Sequence, residues 1–395
     1  MQRIVINPVV FIWTEDSNGI IYDSKVCHGF LFHKTTALSS LIEELQEPNN
    51  LYSVQLSNLD IPDVKRFLDR IVAEGYAKFI DDQDSNILSM KPILRIQDNV
   101  NYYRWLHKQG IDGEVINNIR KIIINIGEEI GCDLFASQVP YPVYSSNLNL
   151  CTQKLLKFIK ASNKSLFLSE INIIGNPIGQ LDIKFLKEIK NVAPIKFSVL
   201  GENINQDSIN KLFDLGKVEV VTRVSTISSR IINLINNNPE LDLCFLVEEN
   251  DDILTLESLP INDTSFEKIY ILPLYNTHNL EFLSGALSIT ENELLNNGPD
   301  KRNIFIHQSI NLFDFGKIYI MPDGTIRTNM CSKSIGSLDD TPYSIVYTEF
   351  DNGKSWLKTR NSQPCKYCVF KSLCPSPSNY ETIVGYPLCF KTKYR

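Results

Sequence analysis

Four cysteines near the end of the chain have a spacing that suits metal binding. Cys365, Cys368 and Cys374 lie in the stretch CKYCVFKSLC, and Cys389 completes the pattern C-x2-C-x5-C-x14-C. A C-x2-C pair directs two thiolates at one centre from a tight turn, and two further thiols complete a cage for an iron–sulfur cluster or zinc. All five histidines lie upstream. The pattern therefore predicts an all-sulfur metal site.

Disulfides and redox chemistry are alternative uses of these thiols. Disulfides belong to oxidising compartments, whereas the N-terminus MQRIVINPVVFIWTED lacks the cleavage site of a secretory signal and indicates a cytoplasmic protein. A redox C-x2-C motif usually follows a strand and opens a helix, which this terminal segment does not do. The isolated cysteines are expected to be buried and to pack as small hydrophobic residues: Cys27, Cys132, Cys151 and Cys244.

Composition and charge narrow the possible partners. The 395 residues are 43% hydrophobic and 22% charged with a net charge of −7, which describes a globular protein of two or three domains. The acidic balance argues against a nucleic-acid-binding face. No stretch approaches the ~20 apolar residues of a membrane span. We therefore expect neither nucleic acid nor membrane as a partner.

Residues 1–95 predict a small winged-helix-like domain, followed by a linker over 96–117. Strands RIVINPVVFIW and GIIYDS precede helical patterns at 36–46 and 61–74, and YAKFI reads as a later strand. Asp60 is the expected cap of the second helix, with Pro62 in its first turn. One apolar stripe follows the helical period in that helix: Val64, Phe67, Leu68, Ile71 and Val72.

Residues 118–305 alternate strand-like apolar runs with helices, which is typical of βα units around a mostly parallel sheet. Six such strands suit an incomplete α/β barrel, with a doubly wound open sheet as the alternative. Gly127-x3-Gly131 lacks the Lys and Ser/Thr of a phosphate-binding loop, and EENDD at 248–252 predicts a solvated turn. Neither makes a case for catalysis.

The C-terminal region, 306–395, opens with GKIYIMPDGTIRTNMC, which predicts a hairpin that turns at Pro322-Asp323-Gly324. Together with IGSL and CKYCVFKSLC…C, it resembles the SPASM domain of radical-SAM peptide-modifying enzymes. The resemblance extends back over the six-strand region. It implies a degenerate partial (β/α)6 radical-SAM-like barrel at 118–305 and a metal-binding SPASM domain at 306–395.

The resemblance also implies one auxiliary 4Fe-4S cluster, ligated by four cysteines, with zinc as the alternative metal. The implied ligands are Cys365, Cys368, Cys374 and Cys389. The family's second auxiliary cluster needs further cysteines, of which only Cys331 is present, while Ser378 occupies another ligand position. We therefore expect the second cluster to be absent.

Two departures from the family point to a pseudoenzyme. Active members have C-x3-C-x2-C after the first barrel strand, whereas Cys132 and Cys151 here stand alone with eighteen residues between them. The family's Gly-Gly-Glu-Pro, whose Glu binds the amino group of S-adenosylmethionine, is replaced by a stretch with Asn176 at the carboxylate position. A neutral amide does not pair with that ammonium as a carboxylate does. No S-adenosylmethionine binding is expected, and the aromatics of Tyr141–Tyr144 are expected to fill the vacated loop region.

The chain thus resembles pseudo-radical-SAM/SPASM proteins of Bacteroidetes-type peptide-maturation clusters with double-glycine-leader precursors; the grasp-with-spasm maturases are a sister possibility. This implies a non-catalytic partner that binds a precursor peptide, an active maturase or both. Strand addition at 1–95 is the expected route, and the net charge suits a leader with basic residues. The alternatives are a redox or other peptide-modifying enzyme that uses the SPASM cluster, and a zinc-stabilised interaction module.

Overall fold

The computed structural model describes residues 2–55, 61–81, 89–92, 99–110, 113–127, 150–261 and 269–391. The N-terminal part consists of β1 (Gln2–Ile6), β2 (Val10–Glu15), β3 (Asn18–Asp23), β4 (His28–His33), α1 (Thr36–Gln46), β5 (Ser53–Gln55), α2 (Pro62–Ala73) and β6 (Ala77–Asp81). Its strands form two antiparallel sheets, β5–β1–β6 and β2–β3–β4. The predicted strands and helices are therefore present.

Helix α2 shows why this part folds. Its apolar stripe is buried against α1 and the sheet β5–β1–β6, because side chains three and four apart share one helix face. The buried members are Val64, Phe67, Leu68 and Ile71. The predicted cap is wrong in its position, since Ile61 rather than Asp60 precedes the first helical residue, Pro62. Gly75 ends the segment in the left-handed region, with φ 77°.

The central part alternates strands and helices as predicted. Its elements are α3 (Asn99–Lys108), α4 (Gly113–Ile116), β7 (Lys121–Asn125), α5 (Thr152–Ser162), β8 (Glu170–Ile174), α6 (Ile183–Lys190), β9 (Ile195–Leu200), α7 (Gln206–Phe213), β10 (Lys217–Arg223), α8 (Ser229–Asn236), β11 (Asp242–Val247), α9 (Asn250–Ser258), β12 (Ile269–Pro273), α10 (Leu280–Leu287), α11 (Glu291–Asn296) and α12 (Lys301–Ser309).

Strands β7 to β12 lie side by side in chain order, and every neighbouring pair is parallel. A doubly wound sheet would reverse its strand order at a switch point, so that alternative is wrong. One face of the sheet carries the main core, including Ile122, Ile171 and Phe197. The other carries a smaller apolar cluster that includes Ile123, Ile174 and Leu246. The chain is therefore a mixed α/β protein with a large parallel sheet.

The C-terminal part contains β13 (Lys317–Ile320), β14 (Thr325–Arg327), β15 (Gly336–Ser337), α13 (Pro342–Asn352) and α14 (Asn379–Val384). Strands β13 and β14 form the predicted hairpin, and Gly324 takes the positive φ of 82° that its turn requires. Strand β13 also pairs in parallel with β7, Ile318 opposite Ile122. One sheet of nine strands thus continues across residue 305.

The N-terminal sheet β2–β3–β4 is packed against the cysteine segment. Phe11 and Tyr22 share a buried cluster with Val369, Phe370 and Leu373. The other face of the same sheet belongs to the N-terminal core. Contacts between the two ends of the chain therefore form a core of their own. Across the described ranges, no helix is both long and apolar enough to cross a membrane.

Candidate metal centre

The cysteine segment is held in place by the apolar residues between its thiols. Val369, Phe370 and Leu373 are buried, whereas the thiol-bearing residues around them are half-buried. A short 3-10 turn over Cys365–Tyr367 lets the Cys368 N–H donate to the carbonyl of Cys365 at 2.9 Å. This is the tight turn that the C-x2-C spacing predicts.

Cys374 lies within electrostatic reach of the other three predicted ligands. Burial raises the pKa of its thiol to about 12; the nearby Arg360 opposes this rise, and Cys368, Cys365 and Cys389 add to it. A cavity of about 190 Å³ borders Cys374 and Cys389. Cys374 and Cys389 therefore border the same cavity, which Arg360 also lines. No three Cys, His, Asp or Glu side chains in the described ranges, however, lie close enough to hold a single metal ion.

Arg360 lies beside this region and was not singled out from the sequence. Its side chain is only 11% exposed and pairs with Glu381, itself 9% exposed, at 3.2 Å. The guanidinium also donates from Nε to the carbonyl of Pro375 at 2.6 Å and from Nη1 toward the Cys365 Sγ at 3.7 Å. A buried cation thus faces one thiol and fixes the backbone just after another.

Glu381 connects the arginine to the last cysteine. Besides pairing with Arg360, its carboxylate accepts the backbone N–H groups of Ser378 and Leu388, at 2.9 and 3.0 Å. Ser378 and Glu381 form a capping box at the start of α14. The S-x-x-E spacing in the sequence is the signal that could have identified this glutamate.

A buried polar network joins the segment around Cys331 to the start of α14. Ser378 caps α14, and the next residue, Asn379, accepts a 2.5 Å hydrogen bond from Asn329, which also donates to Asp314 at 2.7 Å. Asn329 in turn accepts the Cys331 N–H at 2.7 Å. Burial raises the pKa of Asp314 to about 6, although the Asn329 hydrogen bond opposes the shift.

The carboxyl ends of β7 and β8 carry amides that make local hydrogen bonds. Asn176 accepts the Ile178 N–H at 3.1 Å and donates to the Asn203 carbonyl at 3.2 Å. Asn125, at the end of β7, accepts the Gly127 N–H at 3.0 Å. Both side chains shape turns of the backbone.

Several predictions for the loop after β7 lie outside the described residues. These concern Gly131, Cys132 and the aromatic stretch Tyr141–Tyr144. Cys151, just before α5, is exposed, so the prediction that it is a buried hydrophobe is wrong. Cys27 is half-buried, and Cys244 is buried as predicted.

The stretch EENDD is not a solvated turn. It leads into α9, and Asp252 is buried and accepts the Glu248 N–H at 2.7 Å. The Glu248 carboxylate pairs with Arg223 at 3.4 Å and accepts the Asn276 amide at 2.9 Å. The prediction failed because a run of acidic residues is equally compatible with an exposed turn and with the first turn of a helix.

The sheet face that carries the smaller apolar cluster also holds a group of polar side chains that bond to one another. Ser198 donates to Asn172 or Glu219, at 3.1 and 2.7 Å, and Lys196 pairs with Glu219 at 2.6 Å. These side chains project from β8, β9 and β10. Since each has a partner in the sheet, the group stabilises the fold without requiring a ligand.

Comparison with known proteins gives distant structural likenesses only. No family model matches the sequence, and no curated protein matches it. Streptococcus suis SuiB bound to its precursor peptide SuiA is similar at TM-score 0.43 and 12% identity, over 98% of this chain and 97% of that chain. SuiB bound to S-adenosylmethionine gives TM-score 0.45 and 13% identity over the same shares. BtrN in complex with AdoMet and 2-DOIA gives TM-score 0.34 and 10% identity, over 58% of this chain and 82% of that chain.

Proposed function

We propose that the chain is a non-catalytic, cytoplasmic partner in the maturation of a ribosomally made peptide. It has a winged-helix-like peptide-recognition domain at 1–95, a degenerate radical-SAM-like barrel at 118–305 and a SPASM domain at 306–395. One four-iron cluster is held by Cys365, Cys368, Cys374 and Cys389. Its partners are a precursor peptide and an active maturase.

The observation that supports this proposal is that Cys374 and Cys389 border one cavity, while Cys368 and Cys374 pack against the same apolar cluster. Thiolates alone suit iron–sulfur clusters and zinc. A zinc ion with Zn–S bonds of about 2.3 Å would need its four sulfurs about 4 Å apart. The resemblance of the cysteine segment to a SPASM domain favours the iron–sulfur cluster over zinc. Bound there, the cluster supplies one-electron redox capacity.

The non-catalytic role rests on residues at the carboxyl ends of the strands. Asn176 stands where the family has its Glu and takes part in a backbone turn. Glu248 pairs with Arg223 and accepts a hydrogen bond from the Asn276 amide. The sequence also lacks the C-x3-C-x2-C triad. These features support a barrel that has lost S-adenosylmethionine chemistry.

Anaerobic purification followed by iron, sulfide and zinc analysis tests the proposal. About four irons and four sulfides per chain are expected. A parallel incubation with S-adenosylmethionine and a reductant should give no deoxyadenosyl product. Eight or more irons, or cleavage of S-adenosylmethionine, would identify an active radical enzyme and overturn the non-catalytic role. Zinc without iron would overturn the cluster assignment.

A further inference from the structure

A cleft of about 660 Å³ is lined by strand β2, by the cysteine segment and by α12. Residues Phe11 to Glu15 line one wall, so the cleft follows β2 for about 16 Å at the ~3.3 Å rise of a strand. The opposite wall includes His307, Gln308 and Lys371. The volume lies within the range of ligand-binding clefts.

The β2 edge that faces away from β3 offers free backbone groups. The bond from the Ser24 N–H to the Val9 carbonyl sets the register, so that alternate residues such as Ile12 and Thr14 turn their backbone away from β3. Tyr52 and Gln46 donate to the outward carbonyls of Val10 and Ile12, at 2.9 and 2.8 Å. None of the described residues caps Thr14 in this way, so within the described ranges its N–H and carbonyl are open for pairing.

Two buried polar atoms on the opposite side of the cleft lack partners among the described residues. They are Nδ1 of His307 and Nε2 of Gln308, on consecutive residues of α12. Burial and then Arg360 lower the pKa of His307, so its ring is neutral at physiological pH. A buried donor without an acceptor is destabilising. A bound ligand with a carbonyl or carboxylate oxygen would satisfy the Gln308 amide.

The charge of the cleft is opposite to that of the whole chain. Lys371 pairs with Glu15 at 3.1 Å, and Arg360 pairs with Glu381, so both are balanced within the fold. Lys91 bonds only the Gln46 carbonyl and has no carboxylate partner within the described ranges. Among the side chains that line the cleft, this lysine is the charge available to a ligand.

We propose that this cleft binds an extended peptide segment that carries acidic side chains. The segment pairs its backbone with β2 at Thr14, a carbonyl accepts the Gln308 amide, and a carboxylate pairs with Lys91. The inference rests on the proposed function, because the precursor peptide supplies the segment. It reverses the expectation of a basic leader drawn from the net charge of −7.

Binding is measured by fluorescence anisotropy with fluorescein-labelled octapeptides that alternate valine with glutamate, glutamine or lysine. The glutamate peptide should bind most tightly. Thr14→Pro removes the open N–H and should weaken binding about fivefold relative to Thr14→Val, which keeps it. Gln308→Leu should weaken binding by a similar factor. Melting curves confirm that each variant is folded.

Charge reversal provides a matched control. Lys91→Glu should weaken the glutamate peptide about fivefold and strengthen the lysine peptide, whereas Lys65→Glu, an exposed position on α2, should change neither. Equal binding of the three peptides, or equal effects of Thr14→Pro and Thr14→Val, would overturn this site. Full competition by free glutamate would also overturn it, by showing a small-anion site.

The outcome is separable from that of the proposed function. A chain that holds four irons but binds the glutamate peptide without dependence on Thr14 or Lys91 keeps the proposed function and loses this site. A chain that binds as described but takes up no iron keeps the site and loses the cluster.

Discussion

Cys374 directly follows Leu373, which is almost fully buried together with Phe370, whereas Cys374 itself is half-buried. Burial makes its thiol hard to ionise, with the pKa raised to about 12. Metal binding must therefore displace a proton from this sulfur, which couples metal affinity to pH.

Replacing Cys374 by Ser should abolish most iron binding while leaving the apolar anchors in place. We expect fewer than about one iron per chain after anaerobic reconstitution, since a hydroxyl is a poor substitute for a thiolate ligand. Cys331→Ser is the matched control and should retain the full amount, because Cys331 lies in the separate network around Asn329. Equal iron in the two variants would remove Cys374 from the ligand set.

The buried pair of Arg360 and Glu381 should show its importance in metal-free protein. Glu381→Gln leaves a guanidinium without its counter-charge, and we expect a loss of about 3 kcal/mol in the free energy of unfolding. The double variant Arg360→Met/Glu381→Leu should recover part of that loss. Urea unfolding measures all of these changes.

The control for that pair is the exposed pair of Lys160 and Glu188, 2.9 Å apart on α5 and α6. Glu188→Gln should cost less than about 1 kcal/mol, since solvent screens exposed charges. If the Glu381 and Glu188 variants lose stability equally, the buried pair does not organise the cysteine region.

At the scale of elements, the network of Asp314, Asn329 and Asn379 joins the approach to β13, the segment after β14 and the start of α14. One carboxylate oxygen of Asp314 is buried without a partner among the described residues. The charged form is therefore disfavoured, which is why the pKa of Asp314 rises from 3.8 to about 6.

This shift gives stability a definite dependence on pH. Between pH 3.8 and about 6 the folded state keeps the Asp314 proton that the unfolded state has lost, so stability falls as pH rises. Above pH 6 the loss in the free energy of unfolding reaches about 3 kcal/mol. Asp314→Asn should remove this fall, as measured by urea midpoints at about pH 4 and pH 7. Asp69→Asn, exposed on α2, is the control; a fall unchanged in Asp314→Asn would refute the assignment.

Most elements could be predicted from the sequence, because periods of 3.6 and 2 record which face is buried. The stripe on α2 and the hairpin at Gly324 are examples. The first residues of helices and the structure of charged runs were predicted less well, as Ile61 and the EENDD stretch show. The partnership of Arg360 with Glu381 has no local signature, since it depends on how a loop packs against the start of α14, 21 residues later.

At the scale of the whole molecule, the cluster that contains Phe11, Tyr22 and Leu373 links the N-terminal sheet to the cysteine segment. The two parts are more than 300 residues apart in sequence and share one buried surface. Disturbing that surface should loosen both, whereas disturbing the N-terminal core should act mainly on the N-terminal sheets.

Phe11→Ala should destabilise the chain by about 3 kcal/mol and raise amide hydrogen exchange both in β2–β3 and in residues 365–374. Leu68→Ala, in the N-terminal core, is the matched cavity-creating control and should raise exchange in the N-terminal sheets alone. Mass spectrometry of exchanged peptides resolves the two regions. Identical exchange maps would contradict a shared core.

The parallel pairing of β13 with β7 also bears on the solubility of shortened chains. A chain that ends at residue 305 keeps the six strands β7–β12 but uncovers the β7 edge, where Ile122, Ile123 and Ile124 are consecutive. An uncovered apolar edge recruits strands from other molecules. By supplying β13, the residues after 305 cover this edge and should reduce self-association of the sheet.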